Sequence, residues 1–170
     1  DVVLAGGRVR LTVMAKGAGM ICPNMATMLC VVLTDAQVAA EAWQAMFCRA
    51  VGKTFNRVSV DGDTSTNDTI LGLANGASGV AVQGAADVTL LEEALTAILD
   101  QVSYMLVKDG EGARKVIHIT VRGAAHDADA EKVARSVGHS QLVKPGPAVA
   151  HGRHNAAPVG IPAVNGRLDK

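Results

Sequence analysis

The stretch MLCVVLTDAQVAAEAWQAMFCRAVG, residues 28–52, contains the two patterns that decide the fold. Its first six residues form a continuous apolar run, which is typical of a strand buried on both faces. Asp35 then stands where a helix N-cap is expected. The apolar residues that follow recur at helical spacing and stop before Gly52: Ala39, Ala42, Trp43, Met46, Phe47 and Ala50. The stretch therefore predicts a strand followed by a helix.

Similar patterns extend on both sides of this stretch. Residues 8–13 alternate polar and apolar side chains, as a half-buried strand does. Further strands are predicted over residues 56–60, 69–74, 80–82 and 116–121, and helices over residues 87–107 and 127–136. Strands in pairs with helices between them predict a layered domain of the α/β or α+β class, with β-sheets packed against helices.

Composition limits the class of protein. The 170 residues suit one ordinary domain, and the core must be aliphatic because aromatic residues make up only 2% of the chain. The 16 basic and 16 acidic residues cancel without a run of one sign, which argues against a nucleic-acid or anionic-membrane surface. No stretch approaches the ~20 apolar residues of a membrane span.

The cysteines and histidines indicate neither a disulfide framework nor a metal site. Cys22, Cys30 and Cys48 are odd in number and form no C-x-x-C pair, and the five histidines do not fall at zinc-ligand spacings. We expect reduced, mostly buried thiols in a cytoplasmic protein that holds no metal. The chain starts without an initiator methionine, which favours a fragment or a processed product.

The polar loop DGDTSTND, residues 61–68, alternates oxygen-bearing side chains as a calcium loop does. However, Thr66 occupies the position that requires glycine, and Gly72 the position of the closing glutamate. A hydrogen-bonded turn is therefore the preferred interpretation of this loop.

The segment KGAGMICPNMATML, residues 16–29, contains a threonine, Thr27, directly after the small residue Ala26. A threonine hydroxyl needs a base before it acts as a nucleophile, and its own α-amino group is such a base once freed. An α-amine titrates near roughly 7.7, so a useful share is unprotonated at neutral pH. Cleavage between Ala26 and Thr27 would place nucleophile and base on one residue.

Three segments together resemble the bifunctional ornithine acetyltransferase family of arginine biosynthesis, also called glutamate N-acetyltransferase. They are KGAGMICPNMATML at residues 16–29, VSVDGDTSTNDT at residues 58–69 and LVKDGEGARK at residues 106–115. The chain resembles the central part of the family sequence from Val9 to about Val143. The resemblance implies a self-processing transferase of the N-terminal-threonine type, cut at the Ala26–Thr27 bond.

The resemblance also implies the reaction and its residues. Thr27 is the nucleophile of a ping-pong transfer that moves acetyl from N-acetylornithine to glutamate, and some members accept acetyl-CoA as donor. Lys16 matches a substrate-binding lysine and Glu111 a substrate-binding carboxylate, which suit the carboxylate and ammonium groups of an amino acid. Thr27 also contacts substrate. No metal or organic cofactor is implied.

The family sequence implies three parts in this chain. Residues 1–26 are the end of the segment before the cut, residues 27–143 belong to the catalytic chain, and residues 144–170 form a Pro-, Gly- and His-rich tail that reads as a loop. Family members form assemblies of paired cleaved chains. The family's oxyanion pair, a threonine and a glycine, precedes residue 1. A catalytically incomplete fragment or structural remnant is therefore the alternative, and an amidohydrolase or aminopeptidase of related self-processing type is a third.

Overall fold

A computed structural model of the chain describes residues 1–17, 28–62, 67–110, 113–140, 143 and 159–160. Residues 159–160 are described by their backbone alone. These residues form eight strands and three helices. In chain order they are β1 Val2–Leu4, β2 Gly7–Val9, β3 Leu11–Lys16, β4 Leu29–Thr34, α1 Ala40–Lys53, β5 Val58–Ser59, β6 Thr69–Ala74, α2 Gly84–Lys108, β7 Ile117–His118, α3 Asp127–Gly138 and β8 Val159–Gly160. A 3₁₀ turn over Phe55–Arg57 links α1 to β5.

The central sheet has the strand order β3-β4-β6. β4 pairs antiparallel with β3, so that Lys16 lies opposite Leu29, and parallel with β6, so that Leu29 also lies opposite Thr69. Strand β4 is therefore the middle strand. Its first residue has a neighbour on both sides.

Two helices cover one face of this sheet. The helix α2 presents Leu91, Leu95 and Leu99 at four-residue steps, and all three side chains are fully buried. Complete burial of a leucine side chain contributes about 1.5–3 kcal/mol. The helix α1 packs on the same core through the buried residues Trp43, Met46, Phe47 and Ala50. The core is largely aliphatic, as the composition predicts, but the aromatic side chains of Trp43, Phe47 and Phe55 are also buried in it.

The other face of the central sheet is apolar and accessible. Met14, Leu71 and Leu73 are 57%, 51% and 55% exposed, and Leu29 is 49% exposed. The strand register places these side chains together with Val31 and Leu33 in adjacent rows. We call this set, Met14, Leu29, Val31, Leu33, Leu71 and Leu73, the outward face.

Two smaller strand groups flank the central sheet. β1 and β2 form an antiparallel hairpin in which Leu4 lies opposite Gly7. β8 lies between β5 and β7, antiparallel to the former and parallel to the latter. The region predicted as a loop-like tail therefore contributes one short strand within the described residues.

The layered α/β class predicted from the sequence is confirmed, and several elements match closely. β6 has the predicted bounds, and α3 begins at the predicted Asp127. The helix predicted from residue 87 begins three residues earlier, at Gly84. The predicted strand over residues 116–121 is only two residues long, Ile117–His118.

Three predictions around the central sheet are wrong in detail. The predicted strand over residues 8–13 is broken at Arg10, because the Arg10 backbone N–H turns to the Asp35 carboxylate at 2.7 Å. Asp35 is therefore not a helix cap, and α1 begins after Ala39 without a side-chain cap. β4 is not buried on both faces, because its odd-numbered residues lie on the outward face.

The predicted strand over residues 80–82 is reduced to one bridge. Ala81 pairs with Gln37 alone, through bonds of 2.9 Å from Gln37 N–H to the Val80 carbonyl and from Val82 N–H to the Gln37 carbonyl. The chain enters α1 at Ala40, soon after Gln37, so residues 80–82 have no longer extended segment there with which to pair.

Candidate functional site

Lys16 and Leu29 mark one end of the central sheet. Lys16 is the last residue of β3 and is exposed, and it lies opposite Leu29, the first residue of β4. The predicted cleavage site lies between these strands in the sequence. Lys16 is thereby placed at the sheet end where the strand after Thr27 begins.

The backbone of Met28 is held on both sides at this sheet end. Its N–H donates to the Asp68 carboxylate Oδ1 at 2.6 Å, and its carbonyl accepts from the Thr69 N–H at 3.0 Å. The Met28 side chain is buried in the core shared by the sheet and the helices. The residue that follows Thr27 in the chain is therefore fixed in place by the residues that open β6.

The Asp68 carboxylate lies in a mixed electrostatic environment. Partial burial raises its pKa, while the bond from Met28 N–H and the positive charge of Lys16 act in the opposite direction. The net pKa is raised. The Asp68 carboxylate therefore binds the Met28 N–H and also lies within the electrostatic influence of Lys16, the predicted substrate-binding lysine.

A second junction joins the other two signature segments. Val58 and Val60 pack against Val107 in a small cluster that also includes Val116. Gly110 is buried against this cluster, and a Cβ added to it would lie 3.0 Å from Val60 Cγ1 and 3.1 Å from the Val107 carbonyl oxygen. Only glycine fits at this approach without a shift of its neighbours.

The two junctions bring the three signature segments together. Residues 16–29 meet residues 58–69 through Met28 and Asp68, and residues 58–69 meet residues 106–115 through Val60 and Gly110. Ala26, Thr27 and Glu111 lie outside the described residues, as do residues 63–66 of the polar loop. Of the predicted site residues, the structure therefore places Lys16.

Sequence reasoning gave Asp68 no role of its own. It is the last polar residue of the signature loop and directly precedes β6. A carboxylate at the start of a strand can accept an N–H from the neighbouring strand, and that position was the available signal. The partner, Met28, is 40 residues away in sequence.

The thiols behave differently from one another. Cys30 is buried in β4, and burial raises the pKa of its thiol to about 11. Cys48 is exposed, because it lies on the side of α1 turned away from the core, so the prediction of a buried thiol is wrong there. Both are free thiols, and Cys22 lies outside the described residues.

The described residues also bear on metal binding, membrane insertion and cavities. Among the described residues, no group of three or more His, Cys, Asp or Glu side chains could hold a metal ion. Within those limits, none of the helices is long and apolar enough to cross a membrane. A cavity of about 300 Å³ is lined in part by Thr54, Tyr104 and His118. The rings of Tyr104 and His118 stack with their centroids 5.7 Å apart. Lys16 does not line it.

These features define a layered α/β domain in which two junctions join the three signature segments, the first of them at one end of the central sheet. The sequence matches the family model described as "ArgJ family" over residues 1–154, and the chain belongs to that family.

Individual relatives agree with this assignment. The arginine biosynthesis bifunctional protein ArgJ of Nitratidesulfovibrio vulgaris is 67% identical over 144 residues, which cover 85% of this chain and 36% of the relative. The protein of the same name from Chlorobium chlorochromatii is 49% identical, again over 85% of this chain and over 34% of its own length. This chain thus spans about a third of the length of these relatives.

A solved structure supports the fold. The crystal structure of the arginine biosynthesis bifunctional protein ArgJ from Bacillus halodurans superposes with a TM-score of 0.60 at 34% sequence identity. The superposition covers 65% of this chain and 53% of that chain. The layered arrangement of strands and helices is therefore shared with a family member.

Proposed function

We propose that this chain supplies the nucleophile-bearing part of an N-acyltransferase of arginine biosynthesis, which carries acetyl from N-acetylornithine to glutamate. The observation that carries the proposal is the junction at the sheet end, where Asp68 and Thr69 hold the residue after Thr27 close to Lys16. The relatives are named bifunctional proteins of arginine biosynthesis, which supports the assignment to that pathway.

The first proposed step is self-cleavage between Ala26 and Thr27. The Thr27 hydroxyl attacks the Ala26 carbonyl carbon, the C–N bond breaks, and an ester forms while the Thr27 nitrogen takes up the proton. Water then hydrolyses this ester, which leaves a carboxylate on Ala26 and restores the hydroxyl beside a free α-amine on Thr27. The product carries nucleophile and base on one residue.

The second proposed step is the acetyl transfer. The Thr27 hydroxyl attacks the acetyl carbonyl of N-acetylornithine, its α-amine takes the proton and returns it to the departing amine, and ornithine leaves. The amino group of glutamate then attacks the acetyl ester and releases the Thr27 hydroxyl. Because the α-amine must be unprotonated to act as base, the rate should rise with pH and level off above roughly 7.7.

The proposed substrate contacts are charge-assisted. Lys16, exposed at the end of β3, binds the substrate carboxylate, and Glu111, which follows the buried Gly110, binds the substrate ammonium group. Thr27 contacts the acetyl group that it receives. Acetyl-CoA is a further proposed donor, and the reaction as written uses no metal or organic cofactor.

The remaining proposals concern the setting of the enzyme. The cut divides the chain into residues 1–26 and a portion that begins at residue 27, and we propose that the cleaved chains assemble in pairs. The cytoplasmic location stays a prediction. Related ArgJ proteins are named mitochondrial in Schizosaccharomyces japonicus and chloroplastic in Citrullus lanatus.

Intact mass and N-terminal sequencing test the proposal directly. A species that begins Thr27-Met28-Leu29 is expected, together with acetyl transfer from N-acetylornithine to glutamate. Thr27→Ala should abolish both cleavage and transfer. Thr89→Ala is the matched control, because Thr89 is an exposed threonine on α2 whose hydroxyl donates only to the Ala85 carbonyl in the same helix.

The alternative is a catalytically incomplete fragment. Uncleaved chain with no acetyl transfer, in a preparation that is folded by circular dichroism, would contradict the active-enzyme proposal and support this alternative.

A further inference from the structure

The signature loop at residues 61–68 has no assigned role in the reaction, yet its last residue holds the backbone beside the nucleophile. Asp68 Oδ1 accepts the Met28 N–H at 2.6 Å. The acceptor is a carboxyl oxygen, and the bond is at the short end of the range for N–H···O hydrogen bonds in proteins.

The position of this bond is where the sheet ladder ends. β4 and β6 pair from Leu29 opposite Thr69 onward, and the Thr69 N–H already reaches back to the Met28 carbonyl at 3.0 Å. Met28 N–H lies one residue before the paired strand, and the Asp68 side chain supplies its acceptor. Because Met28 is buried, removal of the Asp68 carboxylate would leave this N–H without an acceptor in a place that water does not readily reach.

We propose that Asp68 is a positioning residue, whose carboxylate fixes the peptide unit joining Thr27 to Met28 and thereby the nucleophile. This inference rests on the proposed function. Once the Ala26–Thr27 bond is broken, the only covalent restraint on Thr27 is its bond to Met28. The hold on Met28 therefore matters most in the cleaved enzyme, where a misplacement of about 1 Å is enough to cost on the order of 100-fold in rate.

The first test measures the bond itself. Amide hydrogen exchange of Met28, followed by NMR in the protein that carries this sequence, should show slow exchange that is lost in Asp68→Ala. Asp68→Asn keeps an oxygen acceptor and should retain most of the protection. Unchanged Met28 protection in Asp68→Ala would overturn the proposal.

The second test measures the reaction in the same full-length protein. For Asp68→Ala we expect the kcat of acetyl transfer to fall by roughly 10–100-fold with KM within about threefold. Asp68→Asn should recover most of the lost kcat. A loss of Met28 protection without a loss of kcat, or no recovery in Asp68→Asn, would contradict the positioning role.

A matched control exists at the other end of β4. The Asp35 carboxylate also accepts a backbone N–H from a neighbouring segment, that of Arg10, at 2.7 Å. Asp35→Ala removes a bond of the same kind, and it should leave both kcat and Met28 exchange unchanged. If Asp35→Ala lowers kcat as much as Asp68→Ala does, the effect is general destabilisation and the positioning role is wrong.

The two proposals fail in different ways. If the unsubstituted protein is not cleaved and transfers no acetyl group, the proposed function fails, and the catalytic role of Asp68 fails with it. If that protein is active and Asp68→Ala is equally active, only the positioning role fails.

Discussion

Asp87 shows how one buried carboxylate can join two parts of this chain. It is 2% exposed, and its two oxygens accept the Ala5 N–H at 2.9 Å and the Gln83 N–H at 3.1 Å. Ala5 lies in the turn of the β1–β2 hairpin, and Gln83 precedes the first residue of α2. A negative charge in the first turns of a helix is also favourable to the helix dipole.

We expect Asp87→Ala to lower the free energy of unfolding by about 1–3 kcal/mol, because two backbone donors lose their acceptor. Chemical denaturation measures this change. Asp100→Ala is the control, since Asp100 is an exposed carboxylate on the same helix and its loss should change stability by less than about 0.5 kcal/mol. Equal effects of the two substitutions would contradict the role given to Asp87.

Asp35, Asp68 and Asp87 also show what residue patterns could and could not predict. Each accepts a backbone N–H from a distant part of the chain. The separations in sequence are 25 residues for Asp35, 40 for Asp68 and 82 for the bond from Ala5 to Asp87. A local pattern predicts a cap or a turn for such a residue, as it did wrongly for Asp35. The site role of Lys16 comes from the resemblance and stays a prediction. The bond between Asp68 and Met28 depends on strand pairing, which the local pattern does not contain.

At the scale of elements, β6 and α1 approach each other closely at Gly72. A Cβ added to Gly72 in β6 would lie 2.7 Å from Phe47 Cε2 and 2.9 Å from Trp43 Nε1. Both rings are buried in the core, and their centroids are 5.7 Å apart. The absence of a side chain at this position therefore sets the distance between helix and sheet.

Gly72→Ala should lower the free energy of unfolding by about 1–3 kcal/mol, because the added methyl group overpacks the contact with two buried rings. Gly52→Ala is the matched control in α1, where a Cβ meets nothing within 4 Å and alanine favours the helix by roughly 0.5–1 kcal/mol. Thermal and urea unfolding of both variants measure the difference. Stabilisation by Gly72→Ala would show that the rings move away easily.

At the scale of elements, the sequence patterns predicted which helices and strands are present better than they predicted the residues at which those elements end. β6 and the start of α3 were predicted correctly because their apolar residues and flanking polar residues coincide with the paired or coiled backbone. Residues 80–82 are as apolar as a strand, yet only Ala81 among them forms a β-bridge, with Gln37. Periodicity reports which side chains avoid water, and it does not report whether a neighbouring segment is long enough to pair.

The whole described molecule is asymmetric across its central sheet. Helices cover one face, whereas the outward face leaves Met14, Leu71 and Leu73 more than half exposed. Contiguous apolar surface of this kind promotes association in water. The sequence pattern predicted a doubly buried β4, which is the burial expected if both faces of the sheet were covered.

We expect the 170-residue chain to bind a hydrophobic dye such as ANS and to self-associate in analytical ultracentrifugation. Leu71→Thr should reduce both signals, because threonine keeps the strand preference while it adds a hydroxyl to the outward face next to Val31. Val133→Thr is the control, since Val133 is an exposed apolar residue on α3. An equal reduction in both variants would contradict a role for the outward face.

The six-residue pairing of β3 with β4 would join two separate polypeptides if the proposed cut is made. The cut separates the two strands covalently, so β1, β2 and β3 then belong to one polypeptide and β4 to another. The same backbone bonds that now close a loop within one chain would become the interface of a two-chain molecule. Unfolding of the cleaved form would then separate two polypeptides, and this separation adds a dependence of the unfolding midpoint on protein concentration that the uncut strand pair does not contribute.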